Sequence, residues 1–197
     1  MATFTKVSSD AFEELQLNAG VLLSTFDPAT PSEPQDSVII AATTGGINVV
    51  CTPTYSDFAE DVDNVPINTK EFKHLDGWDC SMSFNSLKFN SANIVWGLGA
   101  ATSTTTAAGT STRGYTKIVP NAEVKSTDFK DIWWVGDKAD GGAVAVKLCN
   151  ALSTGGLNIQ STKNGKGTSQ VTLTGHVSIS ALTTMPMEFY IIDPAAT

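Results

Sequence analysis

The chain has 197 residues, a mean hydropathy of zero and 41% hydrophobic residues, enough apolar mass for one self-sufficient domain, which excludes a disordered tail protein. Net charge is −8 with a pI near 4.6, so the surface lacks the basic footprint with which proteins grip nucleic acid. The acid is concentrated: residues 1–63 carry −9 and the remainder +1.

Taken in chain order, the first 34 residues are rich in acid and proline and lack the basic start and apolar stretch of a secretion signal, which predicts a product that begins soluble and cytoplasmic. No aliphatic run is long enough to span a bilayer, the longest being residues 38–42. Short β-branched runs punctuated by Gly, Pro, Ser and Thr then predict strands over residues 37–42, 46–55, 78–89, 115–119, 129–135, 143–149, 157–162, 169–180 and 187–192. The run QVTLTGHVSIS alternates, with Val171, Leu173, Gly175, Val177 and Ile179 on one face and Thr172, Thr174, His176 and Ser178 on the other. One helix is expected over residues 91–101, capped by Ser91, followed by an exposed Thr- and Gly-rich loop over 102–114. Asn164-Gly165 marks a hairpin turn.

Residues 56–77 differ in kind. Acid at one end (Asp57, Glu60, Asp61, Asp63) and base at the other (Lys70, Lys73, His74) enclose Phe58, Val62, Val65, Ile67 and Phe72. A loop this long in a compact domain is usually functional, and its split charge suits head-to-tail pairing with another copy. An ordinary long hairpin with solvated charges is the plainer alternative.

Chemistry-bearing motifs are scarce. There is no nucleophile elbow, HExxH, CxxC pair, dinucleotide fingerprint or calcium loop, and the phosphate-loop candidate at Gly165-Lys166 fails at both ends. His74 and Asp76 share a strand face, but no nucleophile is placed beside them by sequence. His176 reads as a satisfied or solvated histidine. Cys51, Cys80 and Cys149 are an odd, widely spaced set read as reduced thiols behaving as small hydrophobes. Trp133 and Trp134 point to opposite faces of one strand, which suits one for the core and the other for a second subunit. No cofactor, metal or catalytic residue is expected. Four tryptophans and the Thr-rich loop keep open a carbohydrate- or receptor-binding β-sandwich module.

Several strings, in order, carry a more specific likeness: AATTGGINV at 41–49, EDVDNVPINTKEFKHLDGWD at 60–79, IWWVGD at 132–137, VKLCNALSTGGLNIQSTKNGKG at 146–167 and VTLTGHVS at 171–178. From about residue 17 to 192 the chain resembles the major tail tube proteins of long-tailed (siphovirus-type) phages and prophages of Gram-positive bacteria. The resemblance implies a mainly β domain spanning 1–197: a sandwich of two packed sheets with one flanking α-helix, an N-terminal arm over 1–34 and a long stacking loop over 56–77. It implies a structural virion protein, not an enzyme, whose copies form stacked hexameric rings in the phage tail. Those rings make a conduit for double-stranded DNA during genome ejection, with the tape measure, tail tip and terminator proteins as further partners and no membrane.

The residues expected at the ring-stacking interface are Phe58, Glu60, Asp61, Asp63, Lys70, Phe72 and Lys73, and the lumen-facing candidates are Asp128 and Asp131. Four strands from each of six subunits, spaced about 4.8 Å and tilted about 40°, give a barrel about 48 Å across the backbone. Its bore of about 38 Å admits a duplex about 20 Å wide. Such a bore should be acidic or neutral, because basic lining would hold the phosphates.

Overall fold

The computed structural model describes residues 7–8 and 11–195, and the residues expected to begin the N-terminal arm lie partly outside that range. The fold is mainly β: a large antiparallel sheet doubles over into the two facing sheets of a sandwich, accompanied by a separate two-stranded ribbon and one helix. The elements are β1 (Gln16–Leu23), β2 (Ile39–Ala41), β3 (Thr43–Asp57), β4 (Lys73–Ser86), α1 (Ser91–Leu98), β5 (Ala101–Thr106), β6 (Tyr115–Pro120), β7 (Lys130–Lys138), β8 (Ala143–Ser153), β9 (Asn158–Gln160), β10 (Thr168–Thr174) and β11 (Met187–Ile192).

One layer runs β2-β1-β7-β8-β11, and the other runs from β8 and β9 through β10 and β4 to β3. β8 therefore belongs to both. Its first half pairs with β7 and β11, whereas Leu152 and Ser153 pair with β10. The change of layer falls at Asn150, whose φ of 46° is a left-handed conformation that Asn adopts more readily than most residues. Three hydrogen bonds hold that bend: Asp131 accepts from the Asn150 N–H at 2.9 Å, the Asn150 amide donates to the His176 carbonyl at 3.0 Å, and His176 Nδ1 donates to the Asn150 carbonyl at 3.2 Å.

Alternation along the strands places the core between the layers. Leu22, Ile132, Val146 and Leu148 from one sheet meet Met82, Phe84, Val171 and Leu173 from the other, all buried. Burying side chains of this size contributes about 1.5–3 kcal/mol each. The far face of the first sheet is also covered: Trp133 packs there with Leu23, Ala145, Phe26 and Tyr190, while Trp134 faces the main core. The two indoles do point opposite ways, but Trp133 is covered by its own chain and is not left for a neighbour.

Other expectations need correction. Residues 16–23 are not part of a free arm but form a strand between β2 and β7. Positive φ at Asn18 and Gly20 breaks its alternation, which hid it in the sequence. The helix is capped by Asn90, whose side chain accepts from the Asn93 N–H at 2.8 Å, one residue before the expected cap. It ends at Leu98, where Gly99 leaves the helical conformation at φ 77°; glycine suits the position, since a Cβ would come within 2.9 Å of the Ser153 carbonyl. Part of the Thr-rich stretch is not loop: β5 pairs with β6 throughout its length. The strand expected over 169–180 stops at Thr174, so His176 sits in the clasp around Asn150 instead of on a wet strand face.

Candidate assembly surface

The long segment is a two-stranded arm. β3 and β4 stay paired from Asn48↔Ser83 out to Asp57↔Lys73, with one shift of register between Thr54↔Gly77 and Tyr55↔Leu75 that bulges Asp76, and the irregular tip is residues 58–72. On β4, Cys80 is the last buried residue; everything from Lys73 to Asp79 is exposed or half-buried, so the arm stands clear of the sandwich.

Asp57 organises the tip. Its carboxylate accepts from the Ala59 N–H at 3.0 Å and the Asn68 N–H at 2.8 Å, and Lys73 Nζ lies 3.2 Å away. The two backbone hydrogen bonds, Ala59 first, and then Lys73 hold the Asp57 carboxyl below its ordinary value. Asn64 and Asn68 supply positive φ angles at the turns, and the Phe58 N–H donates to the Phe72 carbonyl at 3.1 Å.

This internal bonding redistributes the charge expected of the segment. Lys73 pairs with Asp57, and Lys70 pairs with its neighbour Glu71 at 3.3 Å. Glu60, Asp61 and Asp63 are exposed and form no ion pair among the described residues, so the tip is acidic. Phe58 and Ile67 are each about two-thirds exposed beside them, whereas Phe72 is half-buried.

The opposite end of the same sheet is basic. β10 begins beside Ser86, so the 161–167 turn lies at the end of β4 farthest from the tip. Exposed Lys163 and Lys166 stand on that turn, with exposed Lys88 and Phe89 beside it; the Phe89 ring lies 3.4 Å from where a Gly167 Cβ would be. β4 alone has 14 residues, about 45 Å of strand, so the two charged ends are well separated.

Between these ends lies a face that no single strand's sequence reveals. Core-facing positions of the second sheet are apolar apart from the buried pair Ser86 and Ser169, and the alternate positions form aligned polar rows: Asn48–Ser83–Thr172 and Asn85–Gln170–Asn158, with Ser81 and Thr174 adjoining. Thr52 and Gln160 extend the face, Asp79 is its acid and Val50 its large apolar group. None of these positions is Lys or Arg. Their alternation was present in each strand, but only the register reveals one surface.

β3 bounds this sheet on one side, a 15-residue strand whose outer edge pairs with nothing among the described residues. Pro53 and the bulge at Gly45 and Gly46 interrupt it, and β11 and β2 are edges of the other layer.

Asp128 and Asp131 do not lie on the polar face. Asp128 accepts from the Lys125 N–H at 2.8 Å in a short turn, and Asp131 pairs with Lys147 at 2.9 Å besides holding the β8 bend. His74 does have a serine opposite, Ser56, but that hydroxyl donates to Asp76 at 2.6 Å, the wrong order for activating a nucleophile. Of the four tryptophans only Trp78 belongs to the exposed group. Among the described residues no cluster of His, Cys, Asp or Glu has metal-binding geometry, and no helix is long and apolar enough to cross a membrane. An open groove of about 690 Å³ between Gly20, Pro34 and Asp193 is away from the arm. No family model matches the chain, and no curated protein matches it.

Proposed function

We propose that the chain is a structural subunit that polymerises into a hollow tube of stacked hexameric rings, a phage tail tube of the kind its sequence resembles, through which double-stranded DNA passes without being held. The observation that carries this reading is the polar face of the second sheet, neutral but for Asp79 and without a basic residue. Turned inward, it offers phosphates no cation to displace their counterions, so DNA gains no electrostatic affinity for the wall. The unpaired edge of β3 lets sheets of adjacent copies join, which removes the hazard of a long free strand.

Stacking follows from polarity along β4. The acidic, apolar tip of one copy meets the basic turn of the copy in the next ring, a heterologous contact that repeats without closing and so builds a filament. The tape measure, tail tip and terminator proteins would meet the two ends of that filament, in the virion. Negative-stain imaging of the purified protein at rising concentration tests the reading: rings or tubes are expected, and a strictly monomeric protein at every concentration overturns it.

A further inference from the structure

Cys51 and Cys80 face each other at the root of the arm. They are direct register partners across β3 and β4, with their sulfurs 2.7 Å apart. Directly opposed residues of antiparallel strands have Cα separations of about 4.5–5.5 Å, inside the range over which a disulfide closes without backbone movement. Cys80 is buried against the core and Cys51 is half-buried beside it; on the tip side of this rung the arm leaves the sandwich. The third cysteine has a different neighbour, Cys149 Sγ lying 3.9 Å from Glu188 Oε1.

We propose that Cys51 and Cys80 are a disulfide-forming pair that fastens the root of the arm, closed by a small-molecule disulfide of the glutathione class. The Cys51 thiolate, on the more accessible sulfur, attacks oxidised glutathione and releases one glutathione thiolate, which takes up a proton. Cys80 then loses its proton to solvent and attacks Cys51 Sγ, expelling the second glutathione. The protein pair loses two electrons and one oxidised glutathione becomes two reduced molecules. Burial, then the neighbouring Cys51, push the Cys80 thiol up to about 12, which makes it a poor first nucleophile and the closing step slow. In a thiol-rich cytosol the pair stays open, and in oxidising surroundings it closes. This chemistry holds whether or not copies assemble.

The test equilibrates the full-length chain with excess oxidised glutathione, then counts alkylatable thiols after denaturation and maps linked peptides by mass spectrometry. Thiols should fall from three to one, with Cys51 joined to Cys80 and Cys149 still alkylatable. A chain then nicked by protease within the tip, residues 58–72, should run as one species until reductant separates it into two. Cys51→Ser should abolish the link, and Cys149→Ser should leave it intact. Three free thiols at equilibrium, a glutathione adduct that stops at Cys51, or a link through Cys149 would each overturn the proposal.

Discussion

Placing lysine at Asn48 and Thr172 tests whether the neutral face of the second sheet is what keeps the tube from holding DNA. Both positions flank Ser83 in one row, so the new charges stand about 10 Å apart, two strand spacings. At that distance in water their repulsion is about 0.4 kcal/mol before screening, too little to unfold the domain. Each phosphate neutralised adds about −0.9 to the slope of log affinity against log salt. If about six of a ring's new lysines engage at once, raising salt from about 50 to about 200 mM should cost about 10³-fold in affinity. Co-sedimentation of assembled tubes with linear duplex DNA over a salt series reads this directly. Wild-type tubes should retain no DNA, and the double lysine variant should retain it with that steep slope. Wild-type tubes that retain DNA as firmly as the variant would refute the reasoning.

Reversing Lys163 and Lys166 to Glu should prevent tube growth while leaving the monomer's denaturation midpoint unchanged, because both are exposed; adding Glu60→Lys and Asp61→Lys in the same chain should restore growth, as imaging would record. Asp57 has a depressed carboxyl pKa, so the order it gives the tip is present above its unfolded-state pKa and is lost as pH falls through the lower, folded value. Amide exchange at Ala59 and Asn68 should therefore accelerate, beyond the intrinsic pH trend, only when acidified below the ordinary carboxylate range, and Asp57→Asn should show faster exchange already at neutral pH. At Gly20, with φ 69°, a Cβ would lie 2.3 Å from Trp134 Nε1 and 2.6 Å from the Val135 carbonyl. Gly20→Ala should destabilise by about 2–4 kcal/mol in urea unfolding, combining left-handed strain with loss of the Trp134–Ala19 hydrogen bond.

Fold class was legible because strand periodicity is local: the runs around Val171 to Leu173 and Val144 to Leu148 carried their own burial pattern. β1 was missed where Asn18 and Gly20 interrupt that pattern, and β5 was missed because six consecutive small or threonine-rich residues carry no apolar alternation. The arm was found from its length and charge, but the fate of each charge was not. Lys73 is committed to Asp57 through a hairpin register that composition does not encode, and Lys70 to Glu71, so the tip is acidic where the sequence suggested a mixed surface. The carboxylates near Trp133 do not belong to the candidate wall, which is amides and hydroxyls with Asp79 as its acid, and whose common plane exists only once β3, β4, β10 and β9 are aligned.

The bend at Asn150 has a mechanical consequence. Because a single continuous strand serves both layers, tension applied to one is carried into the other along covalent bonds and not only across greasy contact. A pulled subunit should therefore yield in one cooperative rupture, with no stage at which one layer slides off its partner, a useful property for a part of any slender shaft that must flex without delaminating.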